Sequence, residues 1–190
     1  MNKSQFRKNC LARLRVARRH SSRLKDRRVN TILYRMIRKL KAESIFLYIP
    51  LGIEVDIDPL IRRLRRQHLS LFVPFMEGES FRLVKYRMPL EMKQYGIKEP
   101  RNSRVYRKRD IDLAIVPMIG TDPTLRRVGF GKGMYDRFFE REKKYIKKTV
   151  FVSRILCQCK SIVTDHYDVA ADMIVTPEKI LYRKNSRQYI

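Results

Sequence analysis

The 190-residue chain reads as an α/β protein, a three-layer sandwich with a mostly parallel central sheet and helices on both faces. Three features carry that reading. Short continuous apolar runs of buried-strand type recur along the chain. Amphipathic helical segments separate them. Proline, glycine and aspartate mark the joints between the two kinds of segment.

The elements follow in order. Phe6, Cys10, Leu14 and Ala17 recur every three or four residues, the spacing of one helix face. Leu24, Val29, Ile32, Leu33, Met36, Ile37 and Leu40 make a second such stripe. "SIFLYIP" (44–50) predicts a buried strand, "DPLIRRLRRQH" (58–68) a helix opened by Asp58 and Pro59, and "LSLFVPF" (69–75) the next strand, together a βαβ unit. "SFRLVKYR" (80–87) alternates like a half-exposed strand, and "DLAIVPMIG" (112–120) is buried throughout. "GMYDRFFEREKKYIKK" (133–148) predicts a helix; "KTVFVSRIL" (148–156) and "ADMIVT" (171–176) predict two last strands, and "YRKNSRQYI" (182–190) a frayed end. With no internal repeat or linker, the expectation is one Rossmann-like domain over residues 1–190, with residues 1–41 as a basic helical arm packed on it.

Composition narrows the partners. Lys and Arg number 44 against 19 Asp and Glu, a formal charge of +25. Residues 1–41 hold 15 of those cations and only Asp26 as an acid. Such a field attracts nucleic acid, anionic surfaces and anionic metabolites alike. Regular apolar stripes in the arm favour packed helices with solvated arginines over a disordered tail. No apolar run reaches the length of a membrane span, and the basic N-terminus lacks the apolar core of a signal peptide, so a cytoplasmic protein without membrane contact is expected, as a monomer. Cys10, Cys157 and Cys159 form no CxxC pair and the three histidines are scattered, which predicts reduced, structural thiols and no zinc cluster.

The segment "RRVGFGKGMYDRFF" (126–139) carries the chemistry. Gly129, Gly131 and Gly133 alternate between basic residues and run directly into a helix, following a predicted strand. Backbone amides freed of side chains, next to a helix N-terminus, suit an anion such as a phosphate. Neither the P-loop nor the dinucleotide fingerprint fits "GFGKGM". Arg127 and Lys132 can neutralise phosphate oxygens, and Asp136, one turn into the helix, can hold magnesium.

These residues resemble the 5-formyltetrahydrofolate cyclo-ligase family, whose signature VPxxxxDxxGxRLGxGxGYYDR lies over Val116–Arg137 as "VPMIGTDPTLRRVGFGKGMYDR". Leu125 stands where the family has glycine, Val128 replaces leucine, and Met134 replaces the first tyrosine. Weaker matches flank it: "KSQFR" (3–7) is similar to KxxLR, "YIPLGIEVD" to a strand followed by a glutamate, "YGIKEP" to GIxEP, and "DHYDVAADMIVT" to ExHDxxxDxxVT, with Tyr167 for the histidine and Asp172 on the second aspartate.

The resemblance implies an ATP-dependent ring closure of 5-formyltetrahydrofolate to 5,10-methenyltetrahydrofolate, with ATP as co-substrate and Mg2+ as cofactor. It implies that Lys3, Arg7, Arg127, Gly129, Gly131, Lys132, Gly133 and Tyr135 bind ATP, with Lys132, Arg127 and Tyr135 nearest the chemistry. Tyr48, Ile49 and Glu54 would contact the folate, and Asp136 and Asp172 would hold the metal. The rival reading is a basic RNA-binding or ribosome-associated protein that uses residues 1–41, although no RNA-module motif accompanies the charge.

Overall fold

Asn2 opens the first helix by accepting the Gln5 amide on its side chain at 2.9 Å, a cap for one of the free N–H groups of the first turn. The computed structural model describes residues 1–20, 22–93, 96, 98–101 and 110–183. Helix α1 (Lys3–Arg19) buries Phe6, Cys10, Leu14 and Ala17, the stripe expected from spacing. Helix α2 (Ser22–Lys39) buries Val29, Leu33, Met36 and Ile37. Leu24, assigned to the same stripe, lies exposed one turn before the buried face begins.

Strand β1 (Ser44–Phe46), helix α3 (Asp58–Arg66) and strand β2 (Ser70–Glu77) form the expected βαβ unit, with β1 and β2 parallel and Ile45 opposite Leu71. Ladder pairing of β1 stops at Phe46, earlier than the apolar run predicts; Leu47 stays in the core with its amide on the Phe72 carbonyl, and Tyr48 and Ile49 beyond it line a cleft at the sheet's C-terminal edge. A two-residue turn with Gly78 at φ 59° returns the chain as β3 (Ser80–Lys85), antiparallel to β2. Strands β4 (Leu90–Met92) and β5 (Lys98–Pro100) make a separate ribbon. The "YGIKEP" motif falls partly outside the described residues, as does most of the C-terminal segment from Tyr182.

Strand β6 (Ile111–Pro117) leads into a small hairpin of β7 (Gly120–Thr121) and β8 (Arg127–Val128). Helix α4 (Met134–Glu142) is shorter than its helical pattern predicts. After a 3-10 turn at Lys143–Tyr145, Ile146 enters β9 (Ile146–Val152) opposite Ile111, so tertiary pairing overrides local propensity. Strands β10 (Met173–Val175) and β11 (Ile180–Tyr182) complete a seven-stranded sheet of order β11-β10-β9-β6-β1-β2-β3. Its five central strands are parallel and both edges antiparallel.

Alternation within each strand divides the core. Ile45, Leu113, Ile115, Val150 and Val175 face α2 and α3, while Phe46, Phe72, Ala114, Val116, Phe151 and Ile174 face Phe138 and Phe139 of α4. Helices thus cover both faces, the three-layer arrangement expected. Helix α1 packs elsewhere, with Phe6, Cys10 and Leu14 against Ile119, Val128, Cys157 and Cys159 on the loops beyond the sheet. The expected set of reduced thiols is corrected here. Cys10 and Cys157 form a disulfide, because docking of α1 brings their Cα atoms to 5.9 Å; Cys159 stays free and buried. Among the described residues no helix is long and apolar enough to cross a membrane.

A buried ion pair fastens the other arm helix. Arg154, just after β9, holds both oxygens of Asp26 at 2.7 Å, and Asp26 also accepts the Asp56 amide. One bidentate contact therefore joins α2, the loop after β1 and the end of β9.

Candidate active site

A cleft of about 710 Å³ opens where the C-terminal ends of β1 and β2 meet the loop between β8 and α4. In a doubly wound parallel sheet this edge is where ligands bind, because strand ends and helix N-termini converge there. Helix α1 closes one side. Its buried stripe seats it on the β7–β8 hairpin, with the Phe6 ring 2.8 Å from where a Cβ on Gly120 would lie. Lys3, in line with that stripe one turn before Phe6, and Arg7 at its edge then reach the cleft.

The glycine loop is shaped by guanidinium groups. Gly131 has φ 98° and Gly133 φ 63°, backbone that favours glycine, and Gly133 caps α4 in the left-handed conformation. A Cβ on Gly129 would run into the Arg127 guanidinium, and one on Gly131 would come 3.3 Å from that of Arg7. Arg7 Nε donates to the Gly129 carbonyl at 2.8 Å, and Arg137 donates to the Lys132 carbonyl at 2.7 Å. Cations therefore brace a loop whose amides stand at a helix N-terminus, the arrangement that receives a phosphate chain.

Arg127 is 6% exposed. Its Nε donates to the Pro117 carbonyl at 2.8 Å and its guanidinium lies 4.5 Å from the Tyr135 ring centre. Burial lowers its pKa, opposed by Tyr135, Asp136, Glu54 and Asp168. It forms the floor of the cleft. Tyr135 is pushed far above its ordinary range by burial and by Glu54, so its phenol stays protonated.

Tyr48 and Ile49 line the opposite wall with Met76 and Phe81. Tyr48 is buried and donates its hydroxyl to the Val55 carbonyl at 2.8 Å, leaving its ring as wall. Glu54 accepts the Leu51 amide at 2.8 Å within a tight turn. Part of the residue faces the open cleft, yet protein surrounds the carboxyl closely enough that burial raises it to about 7, against the pull of that amide, Arg127 and Arg154.

Of two further expected site residues, one lies in the cleft already paired and the other lies outside it. Lys3 reaches the cleft but is held by Asp168 at 2.5 Å and Asp165 at 3.0 Å. Burial works against its charge, while those hydrogen bonds outweigh it and raise its pKa. Asp172 does not line the cleft. Its carboxylate accepts the Thr149 amide at 2.8 Å, beside the sheet, because three residues of extended chain separate it from the cleft rim. The acids that share the cleft with Asp136 are Glu54 on the far wall and Asp165 and Asp168. Asp168 belongs to the same "DHYD" segment, and only the folded loop distinguishes it from Asp172. Among the described residues no three His, Cys, Asp or Glu form a preassembled metal cage.

The sequence pattern of the 5-formyltetrahydrofolate cyclo-ligase family matches residues 1–177. The chain belongs to that family. A 5-formyltetrahydrofolate cyclo-ligase of Escherichia coli K12 is 25% identical over 146 residues, covering 73% of this chain and 80% of that protein. One from Mycoplasma pneumoniae is 25% identical over 180 residues, 94% of this chain and all of its relative. The solved structure of the Aquifex aeolicus 5,10-methenyltetrahydrofolate synthetase superposes with a TM-score of 0.80 at 29% identity, covering 96% of this chain and 93% of that one. This member of the family thus shares the fold along nearly its whole length, with the glycine loop, α1 and the Glu54 wall meeting in one cleft.

Proposed function

We propose that this cyclo-ligase family member converts 5-formyltetrahydrofolate and ATP into 5,10-methenyltetrahydrofolate, ADP and phosphate in the cleft between the glycine loop and the Glu54 wall. The observation that carries the reading is the meeting of two unlike half-sites in one space: a cationic glycine loop at a helix N-terminus, and an apolar wall with one buried carboxyl.

The first half suits a triphosphate. Amides of Gly129, Gly131 and Gly133, with Arg7 and Lys132, take its oxygens, and Tyr135 sits at the junction with the folate. The second half suits a pteridine. Tyr48 and Ile49 give it apolar faces to lie against, and Glu54, when ionised, accepts hydrogen bonds from its ring N–H donors. The basic surface also favours approach of two anionic substrates.

Chemistry then follows from position. The formyl oxygen is a poor leaving group, so the γ-phosphoryl group passes to it from ATP, releasing ADP. N10 attacks the formyl carbon, the C–O bond to the new phosphate breaks, and N10 gives up its proton to solvent. Arg7 and Lys132 balance the charge that spreads over the transferred group.

A magnesium ion fits this donor set. Asp136 places a hard oxygen ligand beside the loop, and Mg2+ bound to phosphates takes few protein ligands and keeps its waters. Bound there, it would supply charge neutralisation for the phosphates. Asp136 would hold it, and Asp168 lines the same cleft.

The test is direct: protein, MgATP and 5-formyltetrahydrofolate are mixed and methenyl absorbance is followed alongside ADP release. Product that requires ATP is expected. Absence of product with folded protein and a folate turned over by a relative overturns the proposal.

A further inference from the structure

We propose that the groove between α2 and α3 is a second binding site, for single-stranded nucleic acid, separate from the folate and ATP cleft. The groove holds about 520 Å³ and shares no lining residue with the active-site cleft. Its rims carry Arg23 and Arg27 from α2 and Arg63 from α3.

Charge comes first. Helix α2 has seven Lys and Arg and α3 four, against Asp26 and Asp58 alone. Asp26 is already committed to Arg154 in a bidentate pair. Among the described residues, no ion pair engages Arg23, Arg27 or Arg63, and all three are exposed. Arg23 and Arg27 stand four residues apart on one helix face, neighbours able to follow successive phosphates. A solvated surface tolerates such a cluster, but it gains energy only when an anion replaces the mutual repulsion.

A stacking platform comes second, and it selects among anions. The Arg63 guanidinium lies 3.5 Å over the Tyr34 ring, and Gln67 fixes that ring by donating to its hydroxyl at 2.9 Å. Arg63 is exposed, so a base can stack on the outer side of the guanidinium. Guanidinium and aromatic planes beside phosphate-binding arginines are how single strands are held. A duplex, whose bases are already stacked, has no use for such a platform. A lipid surface would meet cations but no base-sized concavity. Asp56, on the groove wall, offers a carboxylate that repels phosphate there and directs the backbone toward the arginine rim.

The experiment uses the full chain and a fluorescein-labelled single-stranded RNA of about 15 nucleotides, a length that spans such a site. Anisotropy is read at about 50 and 200 mM salt, where counterion release separates phosphate contacts from stacking. The Arg27→Ala/Arg63→Ala pair is expected to weaken binding about tenfold or more and to lower the salt slope by about 0.7 to 1.4, one to two single-strand phosphate contacts. Tyr34→Ala should weaken binding several-fold and leave the slope unchanged. The charge-matched pair Lys160→Ala/Lys179→Ala, on exposed residues elsewhere, should change affinity by less than about twofold. Retained methenyl formation in each variant certifies its fold, and that activity stands or falls separately from RNA binding. Three results overturn the proposal: no RNA binding at the lower salt, equal losses in both double variants, or binding to phosphatidylserine vesicles without RNA.

Discussion

Arg7 Nε hydrogen-bonds the carbonyl of Gly129 over 2.8 Å, joining residues 122 positions apart. This contact ties the arm to the proposed phosphate loop: the apolar stripe of α1 positions the helix, and the arginine at the edge of that stripe braces the loop. Arg7→Ala should raise the KM for ATP by about tenfold or more, equivalent to roughly 1.4 kcal/mol of lost binding, with a smaller effect on the KM for folate. Arg7→Lys should recover little, because an ammonium cannot keep the Nε contact and face a phosphate together. Steady-state kinetics with ATP varied provide the check, and an unchanged KM would show that the arm is only scaffold.

Glu54 sets a pH dependence. If its ionised form accepts the pteridine N–H groups, kcat/KM for folate rises with pH up to about 7 and then levels. Glu54→Gln should lower the plateau and remove that bend. Stability moves oppositely. The folded carboxyl, raised above its unfolded value, binds a proton more tightly in the native state, so stability falls as pH climbs from about 4.5 to about 7. Above that window Glu54→Gln should stabilise the protein by about 1 to 3 kcal/mol while impairing catalysis. Urea denaturation at two pH values reads the sign.

How much of this was legible follows from the range of the interactions. The four buried residues of α1 are a local periodicity and read directly from spacing, and β1 and β6 read as buried runs; which helix layer each of their residues faces did not, because a continuous apolar run marks no face. The glycine loop was equally visible, because glycine at alternate positions beside a helix start has few other uses. Long-range pairings were not. Nothing local ties Asp26 to Arg154 across 128 positions, or Cys10 to Cys157 across 147. The position of Asp172, expected as a metal ligand, was illegible for a related reason: it looks like Asp168, four residues earlier, until one turns into the cleft and the other accepts the Thr149 amide.

Asp122 acts as a staple. It is fully buried and accepts five hydrogen bonds, from Thr124 N and Oγ1, Val163 N, and Thr164 N and Oγ1. Burial opposes its charge, but these donors outweigh it and hold the carboxyl below its ordinary value. Asp122→Asn sets its NH2 against at least one backbone N–H whichever way the amide is turned, which should cost on the order of 3 kcal/mol. The wild-type contribution is present above the unfolded pKa of about 3.9 and is lost as pH falls through the depressed folded value. Thermal melts of both proteins from neutral to acid pH should therefore converge only at the acid end.

The disulfide predicts a thiol count. Of three cysteines only Cys159 should react in denatured, unreduced protein, and all three after reduction. Reduction should cost about 2 to 5 kcal/mol, since the bond closes most of the chain into one loop. Mass spectrometry after alkylation decides it; three labelled thiols without reductant would refute the bond.

Leu125 poses a question of sign. It stands where the family signature has glycine, and its φ of 56° is a left-handed conformation that costs a side-chain-bearing residue about 1 to 2 kcal/mol. Removing the strain argues for Leu125→Gly. The same side chain, however, is 8% exposed and packs in the cluster that contains Phe138, Phe139, Val169 and Ala171. Truncating a buried leucine costs about 2 to 5 kcal/mol, and glycine adds up to about 1 kcal/mol of unfolded-state entropy. Lost packing and added chain entropy together exceed the relieved strain, so the substitution toward the family residue should destabilise by about 1 to 4 kcal/mol. A urea midpoint that rises in Leu125→Gly would mean that the turn, and not the packing beneath it, dominates this position.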